Sequence, residues 1–153
     1  MKTFFSLVLC VASFYSQANT VTGLTGSYKQ GQVFLTWQNT GDTTAFYKVY
    51  RSISPITSGS QLSGCEYLGY TNSHSSQDWN LTYQDSTTRF LRIDSAGTPL
   101  TSSIGLFVAT TLVNGNYYYA VTVMINNAED QTIIGGSNSL SSSISETDRK
   151  SVV

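Results

Sequence analysis

Three segments in a fixed order constrain the fold most: Gly31-Gln32-Val33-Phe34-Leu35-Thr36-Trp37, then Tyr47-Lys48-Val49-Tyr50-Arg51, then Tyr117-Tyr118-Tyr119-Ala120-Val121-Thr122-Val123. In each, β-branched or aromatic residues alternate with small or polar ones, so a pleated strand would bury one face and wet the other. Val33, Leu35 and Trp37 share one such face. Because same-face positions recur every second residue, Trp37, Val49, Tyr117, Tyr119 and Val121 are expected to point into a common core. Beyond residue 18 no stretch of normal helix length carries an apolar period of 3.6 residues, and the expected class is all-β.

The connections fit that class. Residues 21–28 read as an irregular edge strand, with Lys29-Gln30-Gly31 as the turn into the next. Asn39-Thr40-Gly41-Asp42 is a turn cluster, and the Ser, Pro and Gly content of residues 52–63 describes a loop. Glu66-Tyr67-Leu68-Gly69-Tyr70 is short and extended, and Leu106-Phe107-Val108-Ala109-Thr110 is a further apolar run. Asn114-Gly115-Asn116 launches the tyrosine-rich strand, Asn126-Asn127-Ala128-Glu129-Asp130 reads as a hairpin tip, and residues 138–144 read as a polar last strand.

At the N-terminus, Lys2 precedes an apolar run from Phe4 to Ala12, and Ser16-Gln17-Ala18 supplies small residues at a cleavage signature. Residues 1–18 are read as a secretory signal peptide, because the run falls short of the ~20 apolar residues that cross a bilayer. No membrane span is expected, and the mature chain would begin at Asn19 in an extracellular compartment. Cleavage removes Cys10 and leaves Cys65 alone, so packing rather than a disulfide must stabilise the domain.

At the other end, Asp148-Arg149-Lys150-Ser151-Val152-Val153 is what GAT CGG AAG AGC GTC GTG encodes, the start of a common DNA sequencing-library adapter. Residues 148–153 are therefore read as adapter-derived, with native sequence ending near Thr147 and continuing in the natural protein. Residues 19–147, one domain's worth of chain, then carry five basic and eight acidic residues. A mildly acidic domain with no basic patch is a poor ligand for phosphate backbones, and no nucleic-acid partner is expected.

Reaction chemistry finds little purchase. A Gly-x-Ser-x-Gly elbow is absent, and a serine set could only be drawn from Ser75, His74 and Asp78, whose adjacency in sequence implies no geometry. One histidine and one mature cysteine are too few for a transition-metal site. Glu129 and Asp130 would suit calcium only with nearby carbonyls, and an acidic hairpin tip is expected to be solvated. Glu66 and Glu129 are the only interior glutamates available as a glycosidase pair, and neither sits in a context suggesting burial. No catalytic residue, metal ligand or cofactor is assigned.

Binding has more support. Tyr67, Tyr70, Trp79 and Tyr83 cluster around the irregular residues 71–105, where their rings are expected either to cover the core or to stack on a ligand. Asn80-Leu81-Thr82 matches an N-glycosylation acceptor.

A second-strand Leu35-Thr36-Trp37, a third-strand Tyr47-x-Val49-Tyr50-Arg51 and a late Tyr117-x-Tyr119-x-Val121 together resemble the fibronectin type III domain. The fuller string, with Pro99-Leu100, residues 105–110 and residues 115–122, is similar to fibronectin-like modules at the N-termini of secreted bacterial proteins, some of which precede hydrolases, often α/β esterases. The resemblance covers most of residues 21–147 and implies an immunoglobulin-like β-sandwich with Trp37 at its centre and a tyrosine capping the turn between sheets, Tyr117 first and Tyr118 second. It departs from the standard domain by about thirty extra residues within 71–105, a long insertion for a loop without its own structure. It also implies a non-catalytic spacer or docking module whose partners are adjoining domains of the same chain. The alternative is a carbohydrate-binding or adhesive module contacting a polysaccharide or cell-surface protein.

Overall fold

The computed structural model describes residues 20–78 and 88–148, and among them the regular structure is almost entirely antiparallel strand. The strands are β1 Thr22–Lys29, β2 Gln32–Gln38, β3 Phe46–Ser52, β4 Glu66–Asn72, β5 Gln77–Asp78, β6 Arg89–Phe90, β7 Ile104–Thr110, β8 Gly115–Ile125, β9 Ala128–Asp130 and β10 Ile144–Glu146. The fold is all-β. The signal segment, Trp79, Asn80-Leu81-Thr82, Tyr83 and residues 149–153 lie outside the described residues.

One sheet has the order β1-β2-β7 and a larger one the order β10-β8-β3-β4, with β9 hairpinned onto β8; β5 and β6 pair separately. Two tight turns fix the hairpins. Gln30 and Gly31 have φ of 52° and 84°, and Asn126 and Asn127 have φ of 51° and 62°. Two successive left-handed residues match the twist of antiparallel strands, and asparagine tolerates that region better than most side chains.

The two sheets face each other across one core. Val33, Leu35 and Trp37 from β2 meet Tyr47 and Val49 from β3 and Tyr119, Val121 and Val123 from β8. Tyr117 is partly buried and packs against this cluster. The Trp37 and Tyr47 rings sit 5.5 Å apart at 54°. Opposite Trp37 on β7 is Gly105, and a Cβ there would collide with the indole. The strand tolerates glycine because the large ring fills the space a side chain would take.

Two parts of the chain differ from the sequence expectation. Residues 52–63 are not simply a loop, because a 3-10 helix, Gly59–Gly64, is nucleated where Gln61 Oε1 accepts from the amides of Thr57 (2.7 Å) and Ser58 (2.9 Å). This segment folds back over the outer face of the larger sheet, burying Ile56 and Leu62 against Tyr50 and Ala120 as a second, smaller core. The polar last strand divides in two: residues 138–140 bond to β8 through Val121 N to Asn138 O and Leu140 N to Tyr119 O, and the named strand β10 starts only at Ile144. Buried Asn138 sustains this path. Its amide donates to Val121 O and Thr132 O and its Oδ1 accepts from Ile134 N, so its polar groups are all engaged.

Candidate functional site

β4 is an edge strand of the larger sheet, and its register contains one irregularity. Lys48 faces Tyr70, Val49 faces Gly69, and Tyr50 then faces Tyr67, leaving Leu68 as the extra residue. In a regular strand Tyr67 and Tyr70, three positions apart, would point to opposite faces. The bulge adds one residue and turns both rings to the outer face, beside Tyr50 and Lys48. Gly69 carries φ of 142° at the bulge, while Leu68 packs on the core.

The result is a strip with a ring pair at each end. Tyr67 meets Tyr50 at 5.7 Å between centroids, and Tyr70 meets Phe46 edge-on at 5.8 Å. Tyr67 is 49% exposed, Tyr70 63% and Phe46 40%. Of the two roles expected for Tyr67 and Tyr70, their exposure leaves them outside the one that covers the core. Core coverage falls to Leu68 and to the 3-10 segment, because the bulge aims the tyrosines away from it.

Between the ring pairs on β3 lies Lys48, held from the β9 side by Glu129. Glu129 Oε2 accepts from Lys48 Nζ at 2.7 Å, and its Oε1 accepts from Tyr50 Oη at 2.7 Å and Thr122 Oγ1 at 2.6 Å. Its side chain is 13% exposed, so the hairpin-tip glutamate is not solvated as the sequence suggests. The β8–β9 hairpin lays it across the sheet toward three donors. Burial raises its pKa, but hydrogen bonds from Lys48, Thr122 and Tyr50 and the Lys48 charge outweigh it and hold the carboxyl below its ordinary value. Burial and the Glu129 bond push the Tyr50 hydroxyl upward. Asp130, the other residue of the conceivable calcium pair, accepts from Thr132 N instead.

Past Tyr50 the strip runs into an open cleft of about 360 Å³ lined by Tyr50, Gly59, Ser60, Leu62, Ser63 and Gln131. Its polar side chains are neutral hydroxyls and one carboxamide.

The remaining sequence candidates are engaged elsewhere. His74 Nδ1 lies 3.0 Å from Gln77 Nε2, and Ser75 Oγ accepts from Leu106 N at 2.9 Å, so the two have different partners. Asp78 lies on β5. Cys65 is half-buried, its Sγ donates to Gln61 O, and burial pushes its thiol pKa up, partly opposed by a bond with Ser52. Glu66 accepts from Arg51 at 2.9 and 2.7 Å. Tyr117, the first candidate for the inter-sheet cap, lies under the Arg51 guanidinium at 4.4 Å. The tyrosine that reaches back to the upstream backbone is Tyr47, whose hydroxyl accepts from Thr40 N at 3.0 Å.

The sequence missed Glu146. Glu146 is 1% exposed in its side chain, and it accepts from the hydroxyls of Tyr119 and Thr111 (2.9 Å for the latter) and faces Arg51 Nη1 at 3.5 Å. A lone glutamate in a polar tail gives no signal of burial, since its partners come from β3, β8 and the residue that follows β7. Compared with known proteins, the chain matches no family model, no curated protein and no solved structure.

Proposed function

We propose that the chain is a non-catalytic, secreted fibronectin type III-like module, serving as a spacer or docking domain at the N-terminal side of a longer extracellular protein, possessing a hydrolase domain further on. The strand arrangement is the observation that supports this most. With the minor strands β5, β6 and β9 set aside, the first, second and fifth of the seven remaining strands form one sheet, and the seventh, sixth, third and fourth form the other around the Trp37 core. Immunoglobulin-like sandwiches share the pairing of the third, sixth and seventh strands; here the fourth joins the third rather than the fifth. Native sequence would end near Thr147, before residues of adapter origin.

The test is to read the natural transcript beyond Thr147, where further in-frame domain sequence is expected. A natural transcript that stops after the same six residues overturns the truncation. Assays of the purified chain on ester, glycoside and peptide substrates should give background rates; turnover abolished by His74→Ala overturns the non-catalytic reading. N-terminal sequencing of exported protein should begin at Asn19.

The outward pair Tyr67 and Tyr70 favours a second reading, an adhesive or carbohydrate-binding surface module that uses exposed rings as its contact. Flat rings give contact area at low entropic cost.

A further inference from the structure

Resting on this second reading, we infer that the outer strip of β3 and β4 is a binding site for a neutral polysaccharide, with sugar rings lying flat on Tyr67 and Tyr70 and hydroxyls reaching Ser60, Ser63 and Gln131 at the cleft. The two tyrosines stand opposite Tyr50 and Lys48, two residues apart on β3, and so are separated by about 7 Å along the strand. Such a spacing is on the scale of one sugar unit. The bulge makes the two rings neighbours on one face, while Leu68, the extra residue, turns to the core.

The electrostatics select a neutral ligand. Lys48 is paired with Glu129, and Glu129 is further held by Tyr50 and Thr122, so neither charge on the strip awaits an ionic partner. The same pair argues for sugar over protein. A protein surface closing over the strip would strip water from a partly exposed ion pair, at a desolvation cost. A hydroxyl-rich chain can lie over it and still solvate it. Saccharides also combine apolar C–H faces with neutral hydroxyls, the pattern of rings followed by Ser60, Ser63 and Gln131.

Affinity electrophoresis of the chain through gels containing cellulose derivatives, xylan, starch or glycol chitin, with polygalacturonate as a charged control, tests this. Retardation by at least one neutral polymer is expected. Tyr67→Ala and Tyr70→Ala should each weaken it about tenfold, while Tyr70→Phe, which keeps the ring, should retain it. Gln131→Ala should weaken it less, and Leu112→Ala, exposed on the β7–β8 connection, should leave it unchanged. Retardation by polygalacturonate alone, by no polymer, or equally in the Tyr67→Ala Tyr70→Ala double variant overturns the site. The parent reading is judged separately, by adhesion of the chain to a protein-coated or cell surface. Adhesion lost in the double variant without neutral-polymer binding removes only the sugar assignment, whereas adhesion unchanged in it removes the ring-contact reading too.

Discussion

Two carboxylates in this domain are held by the same kinds of donor, in different surroundings. Glu146 receives a tyrosine hydroxyl from Tyr119, a threonine hydroxyl from Thr111 and the charge of Arg51; Glu129 receives Tyr50, Thr122 and Lys48. Glu146 is buried and its cation stands 3.5 Å away, whereas Glu129 is half-buried, with its more exposed cation at 2.7 Å. The closer ion pair is the less valuable one. Water and salt reach the outer pair at its partly exposed lysine end, while the inner carboxylate has no solvent to fall back on if a donor is lost.

The comparison also separates two tasks. Glu146 sits on a strand that makes three register pairs with β8, Ile144 to Tyr117 through Glu146 to Gly115. Its side chain ties that short strand to β8, to β3 and to the end of the β7 segment at Thr111. Glu129 ties the β8–β9 hairpin to β3 and thereby fixes the middle of the aromatic strip. One network closes the fold and the other arranges a surface.

The largest expected effect is Glu146→Ala, at about 3 to 5 kcal/mol of stability by urea unfolding, because it leaves two buried hydroxyls and part of the Arg51 charge without an acceptor. Arg51 retains Glu66, which places the loss toward the lower end. If Glu129→Ala costs as much, burial is not what distinguishes the two sites.

Next in size is the hydroxyl contrast. Tyr119→Phe should cost about 1.5 to 3 kcal/mol, as for a hydrogen bond to a buried charge, and Tyr50→Phe about 0.5 to 1.5 kcal/mol. Equal values for the two variants would erase the distinction. Both hydroxyls are pushed above the ordinary tyrosine value of 10.0, by burial first and then by bonds to Glu146 and Glu129. A raised pKa of this kind contributes stability that is complete below pH 10 and declines as the pH rises above it, because the unfolded tyrosines ionise first. Alkaline unfolding profiles should therefore fall less steeply in Tyr50→Phe and Tyr119→Phe.

At acid pH the outer site has its own signature. The Glu129 carboxyl is depressed below 4.5, so its contribution is complete above that value and is lost as the pH falls through the lower folded-state pKa. Glu129→Gln should remove this part of the acid slope. A slope unchanged in the variant would mean that the three donors do not favour the charged form.

The smallest effect is Lys48→Ala, at about 0.5 to 1 kcal/mol, decreasing further in high salt. A salt-insensitive loss would place the pair in a drier environment than its exposure indicates.

Much of the framework is legible in the chain because it depends on local rules. Alternation in Val33, Leu35 and Trp37 marks a strand with one buried face, and asparagine at the β8–β9 turn announces a hairpin. The 3-10 helix at Gly59–Gly64 is less visible, since Ser and Gly favour many turns and its stability comes from burying Ile56 and Leu62 on a sheet formed elsewhere. The candidate surface is legible only in part. Tyr67 and Tyr70 are conspicuous as aromatic residues, but their spacing assigns them to opposite faces until the bulge is known.

What the sequence determined by itself was the repeating alternation that commits this chain to antiparallel strands, because the two-residue period of side-chain direction follows from the backbone alone. Only the tertiary structure decided which polar groups would meet. Glu146 gains Thr111, Tyr119 and Arg51, and Glu129 gains Lys48 and Tyr50, 81 and 79 residues distant in the chain. Such partners are chosen by strand register, as the shared face of Tyr67 and Tyr70 is by a single extra residue in β4, and neither leaves a mark on the local sequence.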